Sequence, residues 1–254
     1  MQQETSFLLK NDLREVKTLR WAGETYRQKF SCAMRNVMNT EIIKINKNDT
    51  VKAAQRAAEV LKKGGIAAFP TDTVYGLGAV YSNAQAVRKV FAAKGRPENK
   101  PLSLLVSSPD QVARIAENIP DCAYKLMDRF WPGALTLIFK KQKDAYVPEE
   151  VTAGADTIGF RMPDLELTRQ IISLADSPLA APSANISGKR SASDASEAIE
   201  DLNGRVDMIL DGGACQVGIS STVLDMSGKD YRILREGTVT RAMIEEVIGR
   251  KVSG

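Results

Sequence analysis

Cationic and hydroxyl-bearing side chains in this chain gather where short apolar runs end. The run "GGIAAFP" (64–70) opens into Thr71, Asp72 and Thr73, followed by Tyr75, Gly76 and Gly78. "KGRPENKPLSLL" (94–105) places Lys94, Arg96 and Lys100 on a segment stiffened by Pro97 and Pro101. "GFRMPD" (159–164) sets Arg161 inside an apolar strand. An unpaired charge is costly there, so a partner is required, either a ligand anion or an internal carboxylate. "APSANISGKRSAS" (181–193) carries Ser183, Asn185 and Ser193, and "ISSTVLD" through "ILREG" (219–237) carries Ser221 and Arg235. Short hydroxyl and amide groups beside Lys and Arg make an anion-accepting surface. Loops at strand ends are where open α/β sheets collect ligands. On this reading Gly76 and Gly78 let a ligand approach the backbone. Each segment also has a purely structural use. Thr71 to Thr73 can cap a turn, Lys94 and Arg96 can oppose a helix dipole, and Ser183 and Asn185 can satisfy turn amides.

What is missing narrows the chemistry. The 254 residues contain no histidine, which excludes Ser-His-Asp and Cys-His sites, an imidazole base and His-bound zinc. Cys32, Cys122 and Cys215 are far apart and form no CxxC pair. That suits free thiols in a reducing compartment, and a cytoplasmic location is expected. No GxxxxGK[ST] loop is present, and "YGLGAVY" lacks the third glycine of a dinucleotide fingerprint. No apolar run nears the roughly 20 residues of a membrane span. The formal charge is +4, of which residues 1–37 supply +3. The body is nearly neutral, and any anion site must be a local cluster.

The elements that would position these groups alternate along the chain. Strands are expected at "EIIKIN", "GIAAFP", "LSLLV", "ALTLIF", "TIGFRMP", "LAAPSA", "MILDGG", "STVLDM" and "YRILRE". Helices are expected at "DTVKAAQRAAEVLKKGG", "NAQAVRKVFAAKG", "PDQVARIAENI", "DCAYKLMDRF", "LELTRQIISLA", "ASEAIEDLNG" and "TRAMIEEVIG". In the first helix Val51, Ala54, Ala58 and Leu61 form the apolar stripe, with Asp49 as N-cap and Gly64 in a left-handed position beyond its end. Alternation broken by strand-strand junctions predicts an α/β domain with a mixed sheet. Residues 1–37 do not share this alternation and are expected to be a poorly ordered extension, with a single domain over 38–254.

Taken in order, "FPTDTVYGLGA", "KGRPENKPL", "FWPGALTLIF", "GFRMPD", "APSANISG", "DGG", "SSTVLD" and "ILREG" resemble the YrdC-like family across residues 45 to 248. The resemblance implies a twisted mixed sheet flanked by helices and curved around a positively charged cavity. It also implies L-threonylcarbamoyladenylate synthase activity in a short, single-domain form. Such an enzyme condenses L-threonine, bicarbonate and ATP, with Mg²⁺, and releases pyrophosphate. A separate transferase complex then modifies an adenosine beside the tRNA anticodon. Carried over by position, the resemblance assigns Lys94, Arg96, Lys100, Thr157, Asn185, Ser193 and Arg235 to ATP. Lys94 and Arg96 are the catalytic pair. It assigns Thr73, Arg161, Ser183 and Ser221 (or its neighbour Thr222) to threonine, with Tyr75 shaping the floor. A carbamate is already anionic and needs no strong base, so the absence of histidine fits. The alternative from another class is an RNA-binding paralogue without synthase activity, seating tRNA or double-stranded RNA on a concave basic surface.

Overall fold

The computed structural model describes residues 39–46 and 49–254. These residues belong to one compact unit, Met38–Gly254; the extension expected over residues 1–37 lies outside the described residues. In chain order the elements of the unit are β1 (Glu41–Lys44), α1 (Thr50–Lys62), β2 (Ala67–Phe69), β3 (Gly76–Val80), α2 (Ala84–Lys94), β4 (Ser103–Leu105), α3 (Pro109–Ala113), β5 (Ala116–Glu117), α4 (Asp121–Phe130) and β6 (Leu135–Lys141). They continue with α5 (Glu149–Thr152), β7 (Thr157–Arg161), α6 (Glu166–Ala175), β8 (Leu179–Ala180), α7 (Ala195–Leu202), β9 (Met208–Asp211), β10 (Thr222–Asp225), β11 (Arg232–Arg235) and α8 (Arg241–Ile248). The strands form one mixed sheet in the order β1-β9-β2-β3-β8-β4-β7-β6-β10-β11, with β5 beside β6. The β1/β9, β2/β9, β4/β7 and β6/β10 pairs are parallel, as the mixed-sheet expectation requires.

Side-chain alternation sorts the sheet into two faces. Ala68, Leu104, Leu137, Phe160, Ile209 and Leu224 join one large apolar cluster, together with residues of α2, α4 and α7. Ala67, Phe69, Leu105, Met208 and Leu210 point the other way and pack on α1 and α6. The two helices α1 and α6 cover that second face only over its β1-to-β8 side. Beyond Leu105, across β7, β6, β10 and β11, the face is left for a cavity. In α1 the buried stripe is Ala53, Ala54, Ala57, Ala58 and Leu61, while Val51, expected in it, is 54% exposed. Asp49 precedes α1 without a side-chain cap bond. In α2, Asn83 caps the N-terminus by accepting from Ala86 N–H. Gly95 leaves the helix in a left-handed conformation (φ +59°), which separates the last helical residue, Lys94, from Arg96.

Three expectations are corrected by the fold. "PDQVARIAENI" is not one helix: it stops at Ala113, and Ala116–Glu117 turn into a strand on the edge of β6. "LAAPSA" ends its ladder at Ala180, although Ser183 still bridges to Gly76. Gly76 and Gly78 belong to strand β3; Gly76 lines the cavity described below, while Gly78 serves packing instead of ligand approach. A Cβ at Gly78 would sit 2.7 Å from Phe69 Cε1, and one at Gly76 would sit 3.3 Å from Phe69 Cε2. The phenyl ring of β2 lies over the bare backbone of its antiparallel neighbour. Gly78→Ala is therefore expected to destabilise the domain by about 1–3 kcal/mol through overpacking. Phe69→Leu in the same chain should recover part of that loss, as read from urea unfolding midpoints.

Candidate functional site

The uncovered part of the second face floors a half-open cavity of about 230 Å³. Its wall is made from strand-end segments: Thr71, Thr73 to Gly76, Arg96, Pro101 to Ser103, Ala181 to Ser183, and Ser220 with Ser221. Three arginines line it, Arg96, Arg161 and Arg235, and among the described residues no carboxylate does. Strand pairing sets the floor. Leu105 pairs with Arg161, Thr136 with Val223, and Val223 with Arg235. The β6/β7 ladder, which pairs Leu137 with Phe160, brings Thr136 beside Arg161. Leu105, Arg161, Thr136, Val223 and Arg235 thus form one rung across five strands, and all five line the cavity.

Arg235 reaches this face through an irregularity. The β10/β11 pairing shifts register between Val223 and Leu224, so that Val223 faces Arg235 and Leu224 faces Ile233. The extra residue, Leu234, bulges outward and is 52% exposed. By simple alternation Arg235 would follow Ile233 onto the core face; the bulge turns it to the cavity instead. Its Nε donates to Ser221 O (2.9 Å) and its Nη2 to Ser221 Oγ (3.3 Å).

Arg161 is buried, at 6% exposure, and an internal carboxylate is one of its partners. Nη2 pairs with Asp72 Oδ1 and Nε donates to Gly133 O at 2.9 Å, which leaves Nη1 to the cavity. Burial lowers the guanidinium's proton affinity, Asp72 raises it, and the nearby charge of Arg235 lowers it. Asp72 Oδ1 also accepts from Asp164 N–H at 3.0 Å. Arg96 folds back on its own loop, with Nη2 donating to Pro101 O at 2.9 Å and Nε near Lys100 O at 3.4 Å. Partial burial lowers its proton affinity as well.

The hydroxyl groups have directions that follow from counting protons. Thr71 Oγ1 donates to Val74 O (2.7 Å), so Thr73 must be the donor in the 3.0 Å Thr71–Thr73 bond. Thr73 then offers only acceptor lone pairs to the cavity. Thr136 Oγ1 and Ser221 Oγ lie 2.8 Å apart and share one proton between them. Ser221 also accepts from Arg235, so this pair keeps one O–H free, whichever hydroxyl holds it. Thr222 is buried, donates to Val239 O and accepts from Gly237 N–H, so Ser221 is the one of the two that faces the cavity. Tyr75 lies beneath the floor with its hydroxyl bridging Gly213 O (2.8 Å) and Gly212 N–H (3.1 Å). Burial raises its pKa.

Other predicted residues stand behind or beside the cavity wall. Lys94, 2% exposed, points Nζ at Ser183 O, Asn185 O (2.5 Å) and Asn185 Oδ1 (3.3 Å). Burial and the charge of Arg96 lower its pKa to about 8. Asn185 is likewise turned inward. It accepts from Ser183 Oγ (2.5 Å) and donates to Ile186 O and Lys189 O. Lys94 and Asn185 therefore brace the segment that brings Ser183 to the cavity. Lys100 is exposed on the Arg96 loop. Thr157 begins β7, four residues from Arg161 and so roughly 13 Å away along the strand. Ser193 is engaged by Glu197 at the start of α7, through both its N–H (2.7 Å) and its hydroxyl (3.1 Å). Thr136, Ser103 and Ser220 line the cavity and were not among the predicted residues. The one signal for Thr136 was a hydroxyl at the alternate position of the apolar run "ALTLIF". Cys215 is half-buried, with its thiol pKa raised by burial. Among the described residues no group of three or more Cys, Asp or Glu is placed to hold a metal ion. No described helix is long and apolar enough to cross a membrane.

Comparison with known proteins bears on this arrangement directly. The Sua5/YciO/YrdC family model, described as telomere recombination, matches residues 59–237. Threonylcarbamoyl-AMP synthase of Pyrococcus abyssi is 44% identical over 193 residues, covering 76% of this chain and 56% of the relative. The enzyme of the same name from Bacillus subtilis is 45% identical over 194 residues, again covering 76% and 56%. The chain spans about half the length of the curated relatives it matches. The crystal structure of P. abyssi Sua5 complexed with L-threonine superposes with a TM-score of 0.81 at 41% identity, covering 85% of this chain and 63% of that one. These matches span the segments that build the cavity, and the chain belongs to the Sua5/YciO/YrdC family.

Proposed function

We propose that this chain condenses L-threonine, bicarbonate and ATP into L-threonylcarbamoyl-AMP with release of pyrophosphate. In this reading the product passes to a separate transferase that modifies an adenosine beside the tRNA anticodon. One observation supports it above the others: a single small cavity lined by three arginines and oriented hydroxyls, without a carboxylate among the described residues, in a chain similar to named threonylcarbamoyl-AMP synthases. Arg161 keeps Nη1 for the cavity, and Thr73 is an acceptor in the same lining. Together they suit the carboxylate and amino group of a small amino acid. Arg96 and Arg235 line the same cavity and suit phosphate oxygens. The volume holds an amino acid and the reacting phosphoryl group, while the remaining nucleotide extends over the open rim towards Lys100.

In the reaction the amine of threonine and bicarbonate give a carbamate and water. A carbamate oxygen then bonds to the α-phosphorus, and the α–β bridging P–O bond breaks, its electron pair leaving with pyrophosphate. Nucleophile and target are both anionic, so the work of the site is to bring them together against repulsion. The arginines supply that opposing charge. The described donor set contains no carboxylate cage, and Mg²⁺ would enter as the Mg–ATP substrate. Lys94 and Asn185 act by holding Ser183 in place, and Thr157 and Ser193 stand outside the cavity lining. The RNA-binding alternative expects a surface sized for a duplex; the half-open hollow of about 230 Å³ suits a small ligand better.

Pyrophosphate release should require threonine and bicarbonate together, and release that ignores either omission would overturn the assignment. Arg96→Ala is expected to lower turnover roughly 100-fold or more with the fold intact, the scale of one lost transition-state contact. Lys94 offers a test by pH. Its folded-state pKa, about 8, lies below that of the unfolded chain. Between pH 8 and the usual lysine range the unfolded state therefore binds more protons, and stability gains as pH rises. Denaturant titrations of wild type and Lys94→Met should show the difference moving in favour of wild type from pH 7 to 10.

A further inference from the structure

Two of the cavity's hydroxyl groups, on Thr136 and Ser221, stand on the floor between Arg161 and Arg235. Thr136 occupies the rung between Arg161 on one side and Val223 and Arg235 on the other. Its rotamer is fixed from behind: a Cβ at Gly159 would come within 3.4 Å of Thr136 Cγ2, so the methyl packs over that bare backbone. With the methyl there, Oγ1 turns to Ser221 Oγ at 2.8 Å. Arg235, which is always protonated, already fills one acceptor site of Ser221. The pair consequently keeps one uncommitted O–H, and nothing else among the described residues accepts it. A buried donor with no protein acceptor, at the floor of a ligand cavity, is a reading head for an acceptor on the ligand.

We propose that Thr136 is a catalytic residue which, with Ser221, donates a hydrogen bond to the carboxyl group newly formed on the substrate nitrogen. The inference rests on the synthase reading and names the residue that handles its intermediate. Spacing supports it. The carbamate carbon is three bonds from the amino acid's own carboxylate carbon, roughly 3–4 Å away by standard bond lengths. Neighbouring strands are about 4.8 Å apart, so a group bound at Arg161 on β7 places its carbamate over Thr136 on β6. Arg235 lies two strands further along, on the side where the phosphates arrive. Holding one carbamate oxygen at the Thr136–Ser221 pair turns the other towards the α-phosphorus. No proton is transferred in this contact. The donor orients the nucleophile and offsets the repulsion between carbamate and phosphate.

The test uses the full chain carrying Thr136→Val, which keeps shape but removes the hydroxyl that holds the pair's free O–H in position, and Thr136→Ser, which restores it. Pyrophosphate release is followed with Mg–ATP, threonine and bicarbonate, and threonine binding is measured alone by calorimetry. For Thr136→Val we expect kcat to fall roughly 100-fold while threonine binding and the KM for ATP stay unchanged. Thr136→Ser should return most of the rate. Thr136→Val combined with Ser221→Ala removes both hydroxyls and with them the free O–H, and should lower kcat further; Ser221→Ala alone, read as a fall in kcat, carries the test should the valine variant not fold. Wild-type kcat in Thr136→Val, or a lost threonine affinity with kcat unchanged, would overturn the role of Thr136 alone. A wild-type chain whose pyrophosphate release ignores threonine and bicarbonate would remove the reading beneath it, and this inference with it.

Discussion

The buried pairing of Asp72 with Arg161 is the constraint on which the cavity's geometry depends. Both side chains are nearly sealed from solvent, and a guanidinium in such a place cannot be left alone. Asp72 neutralises it and also accepts from the backbone of Asp164, while its own carbonyl accepts from Val217 N–H at 2.9 Å. Arg161 in turn takes the carbonyl of Gly133. One ion pair therefore fixes four loops that are far apart in sequence. Removing either partner of such a pair typically costs roughly 3–5 kcal/mol, because the other charge stays behind uncompensated. Asp72 engages only part of the guanidinium, so the loops are locked while one edge of the cation still faces the cavity.

Around that anchor the site divides its polar groups by direction. The arginines give positive charge, Thr73 gives lone pairs, and the Thr136–Ser221 pair gives one proton. Behind this layer, Lys94, Asn185 and Tyr75 spend their polarity on backbone groups of the surrounding loops. The division explains how a chain without histidine can handle anions: its cations and hydroxyls are held rigidly and present fixed charge and hydrogen bonds to a ligand. It also explains why the sheet is covered on one face throughout and on the other only in part. Helices α1 and α6 fill the apolar end, and the polar end is where the loops converge.

Much of this was legible in the sequence because local pattern and fold agree. The alternation of elements, the mixed sheet and the gathering of strand-end segments all follow from periodicity and from where polar residues interrupt it. What escaped depends on pairing between distant strands. Gly76 and Gly78 read as room for a ligand, since nothing local reveals that the Phe69 ring lies across them. Lys94 and Arg96 read as twin cations, but Gly95 ends the helix between them and sends one inward and the other to the cavity. Thr136 sits on the non-core side of an apolar strand. Whether that side is covered by a helix or left open is decided by α1 and α6, more than a hundred residues apart in the chain.

The outward bulge at Leu234 has a consequence for how this domain tolerates change in length. Because a single surplus residue sets the orientation of Arg235, pairing this strand at its present length without the bulge would carry the cation through the sheet into the apolar layer, whereas deleting Leu234 would leave it opposite Val223 on the cavity face. The loop just before β11, by contrast, can lengthen at the surface without disturbing that parity. Variation in size within this architecture should accordingly collect in the connections, while between Ile233 and Arg235 the strand either keeps its bulge or loses the surplus residue.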